Sequence, residues 1–230
     1  MESLVNIAAL ETATMGCAVG LRVAGADYVT VLDHERRHTE ALVTGLRALM
    51  TAHHVTASTL TRVVVDVGPG LFTGLRVGIA TAQALAQGVG CELVGVTSLE
   101  LLAHGAWRDG VRGELVALVD ARRAELFVQG FTLGDDVAAH HHPRVLSVDA
   151  LLEEWSAEGF PHTITGDGAA RYATPLTAAA PSMVVHDGIL PSVEAALALG
   201  ATRPATAHVA PLYLREADAV ANFTTRQRPT

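Results

Sequence analysis

The stretch richest in chemical possibility is Gly68-Pro69-Gly70 together with Thr73, Gly74, Gly78 and Ala82 behind it. A glycine loop that opens a helix presents unpaired backbone amides, the geometry that binds phosphate. Phosphate loops add a lysine to that cradle. All 16 basic residues of this chain are arginines, which also removes Schiff-base chemistry and the strand lysine of protein kinases. Gly74, Gly78 and Ala82 recur every fourth residue, so they share one face of a helix, where another backbone can approach closely. Two interior glycines cost about 1–2 kcal/mol of helix propensity, so that smooth face must serve a contact. Spacing alone favours packing against this protein's own sheet and leaves two alternatives open, an anion site and an exposed face that meets another helix.

Other chemistry-bearing residues are scattered. Cys17 and Cys91 have no metal or redox spacing and are expected as reduced thiols. His140-His141-His142, followed by Pro143, is expected as a solvated loop tract. His53-His54 falls near a helix C-terminus, where imidazolium suits the dipole. No Ser-His-Asp arrangement can be argued from spacing, since triads are recognised by geometry. A net charge of −8 and only 4% aromatic residues disfavour direct nucleic-acid binding, which uses basic grooves and stacking platforms. Arg122-Arg123 and Arg226/Arg228 are the available exceptions. The N-terminus lacks a basic leader, and no apolar run approaches the roughly 20 residues that span a bilayer. A cytoplasmic protein without membrane contact is expected.

The elements that must position these residues follow from periodicity. Val5–Leu10, Cys17–Val23 and Tyr28–Asp33 predict three strands joined by tight turns. Leu42, Leu46 and Leu49 predict a helix over His38–Met50. The near-continuous valine run Arg62–Val67 predicts a strand buried on both faces. A helix over Thr73–Gln87, with Thr73 as its N-cap, and a strand Glu92–Val96 come next; Thr97 and Glu100 form a capping box for a further helix. The second half repeats the order: strands Glu114–Val119, Glu125–Leu133 and one ending at Leu146, a helix Val148–Ala157, strands His162–Thr165 and Met183–His186, and a helix Ser192–Leu199. The boundary is placed in the glycine-rich stretch 103–113, giving lobes 1–104 and 105–230 with a flexible tail from about 222.

The run GPGLFTGLRVGIATAQALA (68–86) resembles the signature of the TsaB (YeaZ) family. IAALETATMGCAVGL (7–21), RHTEAL (37–42), ALVDARRAELFVQGF (117–131), TGDGAARY (165–172) and PLYLREAD (211–218) resemble further blocks of that family in the same order. Glu11 stands where the family usually has aspartate.

The resemblance implies an α/β protein of the two-lobed actin/sugar-kinase-like fold, each lobe a mixed sheet with packed helices. It implies a non-catalytic scaffold or activator subunit that binds the homologous TsaD. TsaD carries the metal and transfers threonylcarbamoyl to N6 of adenosine 37 in tRNAs reading codons that begin with A. TsaE, an ATPase, is the further partner; tRNA is contacted only indirectly, and a homodimer forms when the subunit is alone. The alternative is a peptidase-like or nucleotide-hydrolysing enzyme of the same superfamily. The partner interface is expected at His38, Leu42, Leu46, Gly74, Leu75, Gly78, Ile79 and Ala82. A weak, degenerate nucleotide site is expected at Thr12, Thr14, Gly166 and Gly168, because the turn Glu11-Thr12-Ala13-Thr14 lacks the glycine of superfamily phosphate hairpins. No catalytic residue, cofactor or metal is expected, and TsaD's helix-borne H-x-x-x-H metal pair is not expected here.

Overall fold

The computed structural model describes residues 5–14, 17–32, 38–188 and 190–214, without the side chains of 38–40. The first half builds a meander, β1 (Ile7–Glu11), β2 (Ala18–Val23) and β3 (Ala26–Val31), turned tightly at Gly25. α1 (His38–Ala52) then crosses to β4 (Arg62–Asp66), and α2 (Phe72–Val89) crosses to β5 (Glu92–Val96). The sheet order is β3-β2-β1-β4-β5; β4 and β5 run parallel to β1, and the meander is antiparallel. Parallel neighbours need crossovers, which is why helices alternate with strands on that side alone.

α3 (Ser98–Arg108) leads into the second half. β6 (Gly113–Arg122) and β7 (Glu125–Leu133) form a long hairpin, and β8 (Val137–Ala139) and β9 (Arg144–Ser147) share the outer edge of β7. α4 (Val148–Glu158), β10 (Thr163–Thr165), α5 (Asp167–Arg171), α6 (Ala173–Ala179), β11 (Val184–Val185) and α7 (Val193–Thr202) complete it. The order β11-β10-β6-β7-β8 repeats that of the first sheet. The expected repetition of elements is therefore real, and the fold is the expected two-lobed α/β architecture.

The valine run behaves as its composition requires. Val63 and Val65 enter the core under α1 and α2 with Leu42, Leu46 and Ile79, while Val64 faces Val193 and Leu197 of α7. The second sheet is covered by α3 on one face and by α4, α5 and α6 on the other.

One local expectation changes. α2 starts at Phe72 with Leu71 at its N-cap, so Thr73 is not the cap. Two segments make contacts across the expected boundary at 104. α3 straddles residue 104 and packs on the second sheet through Leu99, Leu102 and Ala106. α7 and the segment after it return to the first sheet: Thr206 N donates to Leu93 O, Leu212 N to Val67 O, and the Arg62 guanidinium to the carbonyls of Gly200 and Arg203. The expected tail from 222 lies outside the described residues. The Thr97/Glu100 capping box is present as expected, with both reciprocal hydrogen bonds. Among the described residues no helix is long and apolar enough to cross a membrane.

Candidate functional site

β1 and β4 lie side by side and parallel, so their C-terminal ends bring Glu11 and Asp66 to one edge. In open α/β sheets ligands bind outside these strand ends. Both carboxylates are buried. Glu11 Oε1 accepts from the amides of Ala13 (2.8 Å) and Thr14 (3.3 Å). Asp66 accepts from Gly68 N at 2.7 Å and from the Ser98 hydroxyl at 2.8 Å. Burial pushes Glu11 well above the usual carboxylate range, the Asp66 charge adds to this, and the two amides oppose it. Burial pushes Asp66 up to about 7 against the pull of Gly68 N and Ser98. Burial beside the Glu11 charge also lifts the Cys17 thiol to about 11, so this thiol is a poor nucleophile.

The space above this edge is filled by α2. Leu71 N donates to Ala13 O at 2.6 Å, and Thr12 Oγ1 donates to Gly74 O at 2.8 Å. A Cβ at Gly70 would overlap the Ala13 carbonyl; one at Gly74 would overlap the Thr12 carbonyl, and one at Gly78 the Thr12 hydroxyl. The four-residue glycine spacing thus serves contact with the chain's own β1–β2 turn. Gly74, Leu75, Gly78, Ile79 and Ala82 are buried there, and Leu42 and Leu46 of α1 are buried beneath the same helices. Seven of the residues expected at the partner interface are thus buried in the chain itself, the small ones against its own turn, while Leu46 also reaches the groove between α1 and α2. The His38 side chain lies outside the described residues.

Thr12 and Thr14, expected at a degenerate nucleotide site, are buried in the same turn, and the Thr12 hydroxyl is committed to Gly74. Gly166 and Gly168 do in the second lobe what Gly70 and Gly74 do in the first. A Cβ at either would run into the Leu118 carbonyl. Nearby, Asp120 N donates to Asp167 Oδ1 at 2.9 Å, while Asp120 Oδ1 accepts from Arg122 N at 2.9 Å. The Arg122 and Arg171 guanidinium groups approach Asp120 Oδ2 at 3.1 and 3.6 Å. Burial, then the Asp120 charge, raises Asp167.

Sequence reading missed the outer side of α1 and α2. Between them runs an apolar groove of about 680 Å³, floored by Leu46, Met50 and Val55 and rimmed by Val43, Ala80 and Ala84. Val43 is 52% exposed there. The available signal was that α2 is apolar on more than one face, beyond what burying one stripe requires. One expectation about metal also needs correction. The H-x-x-x-H spacing does occur, at His34 and His38, and both side chains lie outside the described residues. Among the described residues no three His, Cys, Asp or Glu side chains converge to hold a metal ion.

Two sheets of one strand order, each covered by helices, define a two-lobed α/β protein of the actin and sugar-kinase class. A family model described as "TsaD: tRNA N6-adenosine threonylcarbamoyltransferase" matches residues 33–185. The chain is 29% identical to the Escherichia coli K12 "tRNA threonylcarbamoyladenosine biosynthesis protein TsaB", over 91% of this chain and 94% of that protein. It is 31% identical to the Bacillus subtilis 168 protein of the same name, over 44% of this chain and 43% of that one. "YeaZ from Pseudomonas aeruginosa" superposes with a TM-score of 0.77 at 24% identity, covering 92% of this chain and 100% of that one. A second Pseudomonas aeruginosa structure, described by its similarity to "peptidase YEAZ", gives a TM-score of 0.79 at 24% identity and the same coverage. The chain belongs to the TsaB (YeaZ) family of tRNA threonylcarbamoyladenosine biosynthesis, within the wider TsaD family.

Proposed function

We propose that this chain is a non-catalytic cytoplasmic subunit that docks onto a TsaD-type threonylcarbamoyltransferase through the groove between α1 and α2. It thereby supports threonylcarbamoyl transfer to N6 of adenosine 37 in tRNAs reading codons that begin with A. The observation that carries this reading is the groove itself: about 680 Å³, mostly apolar with Arg47, Thr51 and Thr81 among its lining, and open at Val43. An exposed apolar patch of this kind marks a surface built for a partner. The docking helices are those expected from the family resemblance, but the contact residues shift to their outer side. The turn at Thr12 and Ala13 supports a non-catalytic role, since its Ala13 carbonyl and Thr12 hydroxyl are already bonded to Leu71 N and Gly74 O. The same crowding argues against the nucleotide-hydrolysing alternative. On this reading TsaE joins the pair as ATPase, tRNA contacts run through the complex, and two copies close on each other when TsaD is absent.

The test is assembly. Mixed with the TsaD homologue of its own organism, the chain should elute as a one-to-one complex, and tRNA modification reconstituted from purified components should require it. Complex formation that survives an arginine at Ala84 would remove the groove from the interface; modification that proceeds without the chain would remove the function.

A further inference from the structure

β7 is served along one edge by two short strands, β8 opposite Phe131–Leu133 and β9 opposite Glu125–Val128. Gln129 and Gly130 fall in the gap between them, where residues 140–143 (His140-His141-His142-Pro143) bulge away from the sheet. A single backbone bond, His140 N to Gly130 O at 2.8 Å, bridges the gap. The bulge forms one wall of a cleft of about 620 Å³, and the C-terminal end of α4, with Trp155, Glu158 and Phe160, forms another.

The groups around this cleft have an excess of acceptors. Gln129, only 8% exposed, donates from Nε2 to His141 O at 3.0 Å, while its Oε1 has no hydrogen-bond partner. Flipping the amide would not help, because it would set oxygen against the His141 carbonyl and leave the NH₂ group orphaned. A buried polar atom without a partner calls for a specific explanation. Thr132 Oγ1 donates to Glu114 Oε1 at 2.9 Å, so its contact of 2.6 Å with His140 Nε2 must be accepted from the ring. His140 Nδ1 lies 3.6 Å from Glu114 Oε2. Arg144 is paired with Glu154, which leaves Glu114 and Glu158 as a negative excess in the cleft. The C-terminal end of α4 adds partial negative charge. Phe160, edge to face with the buried Trp155 at 6.3 Å, supplies π surface that favours cations.

We propose that this cleft binds a small organic cation with several N–H donors, of the polyamine class. Acceptors at Gln129, at the Glu114–His140 pair and at Glu158 lie on different elements around the cleft, so more than one donor nitrogen is called for. No lining residue belongs to α1 or α2, so the proposal stands apart from the docking groove.

Titration calorimetry of the full chain with spermidine tests it. Saturable binding is expected in the wild type, weakened about tenfold by Glu158→Gln and by Gln129→Met. Asp135→Asn, the same charge change outside the cleft, should leave affinity unchanged. Glu158 is exposed, so its variant keeps the test valid if Gln129→Met does not fold. Absent spermidine binding, an equal loss in Asp135→Asn, or unchanged affinity in Glu158→Gln would each overturn the assignment. Saturable Zn²⁺ binding without spermidine binding would overturn it in favour of a metal site.

Discussion

The Thr12 hydroxyl donates to the Gly74 carbonyl at 2.8 Å across 62 residues of sequence, fixing the first turn of α2 onto the β1–β2 turn. This explains why α2 tolerates glycine where propensity disfavours it. A methyl group at Gly74 would meet the Thr12 carbonyl, whereas Gly88 on the same helix is exposed with nothing within 4 Å. Gly88→Ala should therefore stabilise the chain by about 0.5–1 kcal/mol. Gly74→Ala should destabilise it by about 2 kcal/mol, because backbone overlap outweighs the propensity gain. Urea unfolding of both variants measures the difference, and matching signs would refute the close-packing account.

Stability should also record the buried carboxylate at Asp66. Its folded value is lifted to about 7, chiefly by burial, so the folded chain binds a proton that the unfolded chain releases near pH 4. That contribution is fully present below the unfolded value and is lost as pH rises through about 7. Its size is on the order of 4 kcal/mol. Asp66→Asn mimics the protonated acid and keeps an oxygen for Gly68 N and Ser98. The stability of wild type relative to this variant should fall between pH 4 and 8; a difference that stays flat with pH would refute the assignment.

Much of the fold was legible because its signals are local. The valine run at 62–67, the leucine spacing of α1 and the Thr97–Glu100 box each announce one element by its own chemistry, and each is found. The glycine face of α2 was legible as a contact but not as to its partner. Spacing says that something comes close, and only the return of the Thr12–Ala13 turn onto the helix says what. The docking of α7 on the first sheet was hidden for a related reason. Val193 and Leu197 are apolar whichever lobe they cover, and a lobe boundary drawn from composition cannot see a chain that crosses back. Gln129 carries no sequence signal at all, because its orphan oxygen arises from the break between β8 and β9.

The crossing back is secured by a second long-range pair. Arg203, just beyond α7, grips Glu100 of α3 through two nitrogens at 2.8 and 3.1 Å and also reaches Gly95 O. Arg203→Ala should cost about 1.5–3 kcal/mol, the range for hydrogen bonds to charged partners. Arg203→Lys should recover only part of this, because an ammonium lacks the planar fork. A double-mutant cycle with Glu100→Gln isolates the pair. Full recovery by lysine would mean that charge rather than geometry fastens the segment.

Gly78 and Ala84 point to different sides of α2, so equally drastic substitutions on them should have opposite consequences. Gly78 faces the Thr12 hydroxyl inside the first lobe, and Gly78→Arg should unfold or strongly destabilise the chain whether or not a partner is present. Ala84 is exposed at the groove rim, so Ala84→Arg should leave the melting temperature within about 2 °C of wild type, as for surface substitutions generally. It should nevertheless abolish the complex with the TsaD homologue, because a long charged side chain cannot enter an apolar contact without losing its hydration. Differential scanning calorimetry and size-exclusion chromatography on the same two variants separate folding from docking. An Ala84→Arg chain that still binds, or a Gly78→Arg chain that folds normally and fails only to bind, would return the interface to the glycine face.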